Sequence, residues 1–517
     1  MTGLHFKKTL VSLCFFQTTC RDSNGLGNLA AVGILCLDSV TLLDRFFMNR
    51  FVLFSVVLLI VMPASSASAN DWARFRGTDG AGVAVGQTIP SEIGPEKNVL
   101  WKIAIPAGTS SPIIVGDMLL LTSHKDNDRT LHCLNALTGE SLWERSVKKG
   151  HDEIATAPAG ASTPTPVSDG KSVFVFFPDA GVFAWTLDGT ELWQKPTPVS
   201  RTMHGLSGSL VYFAGNVFHV VDQLNESFIC AYDANTGDVV WKTDRVSGLT
   251  GGYSTPVIYE PQGGSPLLLT TGPFEVVAYD PATGERVWWL MGKSNAPVSS
   301  PIIRGNQMFF CEPVGEAIPM SLLGSFDKNK DSLFQPDETE NNEAISRLMA
   351  RIDDNWGNKD SIVDEAEWNK AFGSFAGKGG LVSVSLSGTG DVSDKNVNWT
   401  FSKGMPYIPG VLADRNTVFA VDDGGLLTTV NAQTGEQIKK GRLKQGNGQY
   451  YASPVAAGDH IVLIDTAGVV NILSNSPEWD SVSSCELGEE CFATPAIGHN
   501  QLYVRTTQSL FCFGETK

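Results

Sequence analysis

The sequence predicts an all-β fold, an eight-bladed β-propeller with one small α-helical insertion in blade five. Two recurring elements and their spacing predict it. LNALTGESLW, AWTLDGTELW, AYDANTGDVVW and AYDPATGERVW each place a Gly four residues before a Trp, in the pairs Gly139/Trp143, Gly189/Trp193, Gly237/Trp241 and Gly284/Trp288. A fifth copy, VNAQTGEQIK, keeps Gly435 but has Lys439 where Trp is expected. An S-x-P or A-x-P element recurs upstream of these, beginning at Ser110, Ser162, Ser254, Ser299, Ala452 and Ala493. Taking its prolines as marks gives Pro112, Pro164, Pro256, Pro301, Pro454 and Pro495, and Pro409 and the weaker GSLVYFAG near Leu210 fill the gaps. The period is then about 45 residues, the length of one four-stranded propeller blade.

Each period reads as a strand begun at S-x-P, a Gly-containing turn, a β-branched run, a third strand ending in AYD or its equivalent, and a fourth carrying Trp. In the third turn Asp or Asn caps the backbone and Gly takes the positive φ that a tight hairpin needs. A lone four-stranded sheet cannot bury both faces, so the blades must stack radially, with Trp as the plug between them. Seven such units start near residues 110, 162, 208, 254, 299, 406 and 452. The C-terminal ATPAIGHNQLYVRTTQSLFCFG supplies only three strands, and NVLWKIAIP at the other end, with Trp101 in the plug position, supplies the fourth. Joining the two ends in one blade closes the ring without an open edge.

These A-x-D-x-x-T-G-x-x-x-W units resemble the repeat of the pyrroloquinoline-quinone-type (PQQ-like) propellers. DWARFRGTDGAGVA, Asp71 to Ala84, is similar to the W-x-x-F-R-G-x-x-G-x-G opening of many exported bacterial members. The resemblance covers about residues 71–517 apart from the insertion. It implies the fold and leaves the function open: the superfamily holds both quinoprotein alcohol dehydrogenases and the cofactor-free propeller subunit of the outer-membrane barrel assembly machinery.

The propeller is expected over residues 70–517. Met48-Asn49-Arg50, the apolar run FVLFSVVLLIVM and the A-x-A site at Ala67–Ala69 read as a secretory signal peptide over 48–69, with 1–47 an upstream extension before the true start. An uncleaved anchor is the alternative. Export points to a periplasmic or secreted protein without an integral span in the mature chain. It would also place six of the nine cysteines in an oxidising compartment, where Cys485 and Cys491 could close a small loop. Cys133, Cys230 and Cys512 occupy one position of a repeated strand and are expected free and buried. The formal charge of −17, without clustered Lys and Arg, argues against a nucleic-acid surface. A monomer is expected.

Pro301 to Pro409 spans two periods but holds one blade, and the surplus is residues 318–376. Ile345, Leu348, Met349 and Ile352 there have helical spacing. SFDKNKDSLFQPDE resembles an EF-hand loop. Asp327, Asn329, Asp331 and Glu338 stand at positions 1, 3, 5 and 12, with the Leu333 carbonyl at 7 and Gln335 at 9. Ser332 replaces the usual Gly and Phe334 the usual aliphatic. A second loop, Trp356–Glu367, has Asn358, Asp360, Asp364 and Glu367 in register but Trp356 at position 1, where the first ligand is expected. Weak calcium binding is expected in the first loop, ordering the insertion without doing chemistry; the alternative is a metal-free acidic hairpin.

No hydrolase or metalloprotease motif occurs, and GSFAGKG at Gly373 is one residue short of a phosphate loop. Quinoprotein dehydrogenases carry adjacent paired cysteines, and this sequence has no Cys-Cys pair, so no bound quinone and no catalytic residues are expected. Arg201, His204, Tyr253, Tyr407 and Tyr451 lie just before the first strands of several blades and are expected on one face of the ring. There they would either contact a partner or merely line the central channel. Two functions remain. One is an exported, non-catalytic propeller binding a protein, an envelope component or a carbohydrate; the other is a quinone- or otherwise cofactor-dependent oxidoreductase.

Overall fold

The computed structural model describes residues 71–515, apart from 154, 225, 247–250, 293, 295, 313–318, 374–378 and 447. The expected leader lies outside the described residues. Eight sheets follow one another around the ring. Blades one to four occupy Ile113–Lys148, Val167–Lys195, Val211–Asp244 and Val257–Met291, and blade five runs from Ile302 to Phe401. Blades six and seven occupy Leu412–Arg442 and Val455–Glu486. Blade eight joins the three C-terminal strands to Val99–Ala104, with Trp101 opposite Cys512. The two-ended blade is therefore present.

Burial follows position in the blade. Middle strands such as Ser172–Phe177 and Gly181–Thr186 are buried on both faces, because a neighbouring blade covers each side. The outermost strand Ser141–Lys148 alternates exposed and half-buried residues. The turn glycine and the Trp belong together, but across blades. The Trp143 indole N–H donates to Leu187 O of the next blade (3.0 Å), and a Cβ at Gly189 would lie 3.0 Å from the ring. Trp101 over Gly139, Trp193 over Gly237 and Trp399 over Gly435 repeat the arrangement. Glycine is thus required twice, for φ between +71° and +84° and for the space under the ring. Lys439, in the plug position of blade six, lies 4.6 Å over Trp479, which comes from the following blade and fills the gap.

In two places the register differs from the proline marks. Blade two aligns on Thr165-Pro166 and not on Pro164, and blade six on Gly410-Val411 and not on Pro409. Cys485 and Cys491 are not bonded to each other: Cys485 is half-buried on an outer strand, and the buried Cys491 thiol contacts Arg505 O at 3.1 Å. Cys133, Cys230 and Cys512 are free and buried, and desolvation pushes each thiol up to about 12.

The insertion leaves blade five between its second and third strands, which end at Glu312 and resume at Gly380. It holds a 3₁₀ turn (Met320–Leu323) and helices α1 (Pro336–Thr339), α2 (Glu343–Trp356) and α3 (Glu365–Gly373). Ile345, Leu348, Met349 and Ile352 face its core as their spacing predicts, packing with Phe334, Trp368 and Phe372 over Phe274 and Val246 of the propeller.

Candidate functional site

The segment Asp71–Ala84 crosses the turn end of the ring. Trp72 bridges Ile114 of blade one, Ala73 O accepts from Ser168 of blade two, and Val83–Ala84 pair with Ala456–Ala457 of blade seven. Arg74 Nη2 donates to Pro256 O (2.7 Å), Arg76 Nη2 to Val411 O (2.5 Å), and Asp79 pairs with Arg304 at 3.1 Å. This segment closes the channel, and Phe75 becomes the floor of a cavity of about 660 Å³. The mouth lies on the opposite face, among the segments that precede each first strand.

A belt of hydroxyls forms the wall. The residue at the middle S-x-P position, aligned on Thr165 in blade two, Ser209 in blade three and Gly410 in blade six, sends its N–H to the hydroxyl of the equivalent residue in the next blade in seven of the eight steps. Ser111 donates to Thr165 (3.1 Å), Thr165 to Ser209 (2.9 Å), Ser209 to Thr255 (3.0 Å) and Thr255 to Ser300 (2.9 Å). Gly410 donates to Ser453 (2.9 Å), Ser453 to Thr494 (2.9 Å) and Thr494 back to Ser111 (3.0 Å). Only the step from Ser300 has no hydroxyl to meet, because the next member is Gly410. A Cβ there would collide with Arg76 Nη1, so glycine makes room for a buried guanidinium. The first residue of the motif also bonds within its own blade: Ser110 Oγ accepts from Thr122 N–H (3.0 Å), besides Arg505 Nη1 of blade eight (2.7 Å), and Ser254 Oγ donates to Thr271 O (2.8 Å).

Above the belt stand Tyr253, Tyr407, Tyr451, Phe492, Met203 and His204. Tyr253 is 8% exposed and its ring lies 5.7 Å from His204, whereas Tyr407 is 46% exposed at the mouth. Tyr451 stacks edge-on against Phe492 at 5.6 Å. The structure therefore brings four of the five sequence-predicted residues around one cavity. Arg201 is the exception: it is solvent-exposed outside the lining, its backbone held by Gln223 and Leu224. Leu322, from the 3₁₀ turn of the insertion, also reaches the wall. Neither it nor the belt was identified from sequence, although the middle residue of S-x-P is Ser or Thr in every copy.

The described lining holds no Asp, Glu, Lys or Arg, and His204 is its one titratable side chain besides tyrosine. Elsewhere Ser123 Oγ, His132 and Glu144 are linked at 2.6 and 2.9 Å, like a nucleophile, base and acid. The order is inverted for catalysis: Ser123 is buried, while Glu144 is the exposed end. Desolvation lowers the His132 pKa, and the trio is a cross-strand fastening.

In the insertion, Asp331 and Ser332 N–H donate to the Asp327 carboxylate (3.2 and 3.0 Å), and Lys328 and Asn329 N–H donate to Glu338 (2.8 and 3.2 Å). The second loop repeats the pattern, with a correction. Asp353, on the last turn of α2, takes the first-ligand place and accepts from Lys359 and Ser361 N–H (2.6 and 2.7 Å). The loop is three residues longer than the register from Trp356 implied. Ser332 and Ser361 both adopt the positive φ, +65° and +69°, at the position usually given to Gly. Phe334 and Val363 bridge the loops by paired 3.0 Å hydrogen bonds, and Phe334 is aromatic because its ring packs 6.3 Å from Trp368. Among the described residues no cluster of three or more His, Cys, Asp or Glu is arranged to hold a metal ion.

Residues 92–251 and 225–322 match the family model described as outer membrane protein assembly factor BamB. The matched residues, less than half of the chain, hold blades one to four and the first two strands of blade five. Among solved structures, the propeller is similar to BamB from Moraxella catarrhalis (13% identity, TM-score 0.49, covering 80% of this chain and 98% of that one). It is also similar to a europium-containing methanol dehydrogenase (10%, 0.55, covering 86% and 98%). A third is the quinohemoprotein alcohol dehydrogenase from Comamonas testosteroni (11%, 0.56, covering 88% and 82%). At these identities the likeness is one of fold. No curated protein matches the chain by sequence. Among the described residues no helix is long and apolar enough to cross a membrane.

Proposed function

We propose that this PQQ-like propeller is an exported, non-catalytic binding module that holds a protein or envelope component on its cavity-bearing face. The supporting observation is the cavity itself, a hydroxyl-walled, aromatic-rimmed well without an acid–base pair. The matched BamB family model supports the same reading. Exposed Tyr407 and half-buried Tyr451 are the expected anchors, since rigid aromatic side chains at the mouth of a concave site carry much of a binding energy. Substituting both with Ala is expected to weaken capture of the partner from envelope extract about tenfold or more, with an unchanged melting temperature. Capture that survives both substitutions would remove this face from the function.

The second reading, a quinone-dependent oxidoreductase, is favoured by the methanol and alcohol dehydrogenase folds. Pyrroloquinoline quinone is a tricarboxylate that works with a divalent cation, so it needs several cationic partners and carboxylate metal ligands. The described lining offers neither and does not fit it. Quinone retained through desalting, together with dye reduction on alcohols or sugars, would establish the oxidoreductase instead.

The proposal includes calcium in the first insertion loop, on Asp327, Asn329, Asp331, the Leu333 carbonyl, Gln335 and Glu338. The paired loops with matched positive-φ residues support it. Titration calorimetry is expected to give a Kd on the order of 10⁻⁴–10⁻³ M, abolished in Glu338→Ala. An unchanged signal in that variant would retire the site.

A further inference from the structure

The well has an electrostatic polarity that its neutral lining conceals. Each of the seven belt hydroxyls already accepts a backbone N–H, and among the described residues no protein acceptor takes its own hydrogen. All seven line the cavity, and each keeps an O–H free to donate into it.

Behind that ring sits uncompensated positive charge. Arg74 and Arg76 flank the floor residue Phe75 in sequence, and both guanidinium groups are buried. Each makes one hydrogen bond to a carbonyl, while Arg74 Nε, Arg76 Nε and Arg76 Nη1 have no partner. Arg76 Nη1 lies at Gly410, the break in the belt and itself part of the cavity wall. The charged groups that influence the pair are Asp79 and Arg304, and Asp79 is already bonded to Arg304. Three guanidinium groups therefore share one carboxylate. Burial lowers Arg74 to about 10 and Arg76 to about 9, so both remain cationic at neutral pH.

Buried cations with unmet N–H donors are costly unless an anion answers them. The belt's O–H donors and the wall at Gly410, behind which Arg76 lies, face the same cavity. We propose that the well takes its ligand by a compact oxyanion head, a carboxylate or a phosphate, seated in the hydroxyl belt above Phe75. An apolar or aromatic stem then lies between Tyr253, Tyr407, Tyr451 and Phe492. A neutral head leaves the buried charge unanswered, and a cationic head is repelled. A single head is specified, because the upper wall carries no described cation for a second. This inference rests on the cavity face being the binding face.

The test uses small probes on the full mature protein. Binding of 3-phenylpropionate, 3-phenylpropionamide and 2-phenylethyl phosphate is measured by ligand-observed NMR and by thermal shift. The acid is expected to bind at least tenfold more tightly than the isosteric amide, and the acid-to-phosphate ratio identifies which oxyanion the belt prefers. Ser453→Ala and Arg76→Met are expected to weaken the acid more than the amide. If either variant fails to fold, the acid–amide comparison in the unaltered protein decides alone. Equal binding of acid and amide overturns the oxyanion head but leaves the cavity as a binding site. Binding of neither overturns the head, and the Tyr407 and Tyr451 capture experiment then judges the face independently.

Discussion

Deletion of residues 70–105 is expected to leave no cooperatively folding protein. Two losses combine. The strand Val99–Ala104 is the outer strand of blade eight, so its removal exposes the edge formed by Ser509–Phe513. The same deletion removes the segment that fastens blades one, two, four, six and seven across the turn end of the channel. A milder form isolates the closure. Trp101 donates to Ala136 O at 3.0 Å and covers Gly139, so it joins the last blade to the first. Trp101→Ala is expected to cost about 3–5 kcal/mol, read as a lower denaturant midpoint by circular dichroism. A deletion variant that melts like the parent protein would contradict closure by the two chain ends.

The ring was legible because a repeat states its own grammar. Gly–Trp pairs and S-x-P marks locate turns and strand starts without knowledge of what they touch, and Trp101 identified the closing strand on pattern alone. Contacts between blades were less legible. The turn glycine was assigned to backbone conformation, while the structure shows it also clears space for the preceding blade's Trp. Blade two carries two prolines, and only the belt bond from Ser111 to Thr165 shows that Pro166 is the structural mark. In the second insertion loop, loop-register counting from Trp356 missed Asp353, because a carboxylate on the preceding helix reaches the same N–H groups from a different sequence position. Arg201 was placed on the cavity face by the equivalence of its segment in other blades, but it is exposed to solvent outside the lining. The arginines below the floor carried no such signal: DWARFRG reads only as a familiar opening motif, and it is the crossing path that buries them.

Gly410 and Arg76 offer the sharpest test of that hidden layer. Serine at 410 would complete the belt by meeting the Ser300 N–H, yet its Cβ would collide with Arg76 Nη1. No positive φ demands glycine at 410, and the main obstacle to a side chain is the guanidinium, with Ser453 Oγ next at 3.2 Å. Gly410→Ser is therefore expected to destabilise the protein by about 1–3 kcal/mol through overpacking. In an Arg76→Met background the same substitution is expected to cost nothing or to stabilise, since the hydroxyl then finds both space and a donor. The double-mutant cycle should give a coupling on the order of 1–3 kcal/mol, because the two residues compete for one volume. Additive effects within about 0.5 kcal/mol would mean that Arg76 does not occupy the break in the belt. The cycle would then also weaken the case for positive charge beneath the well.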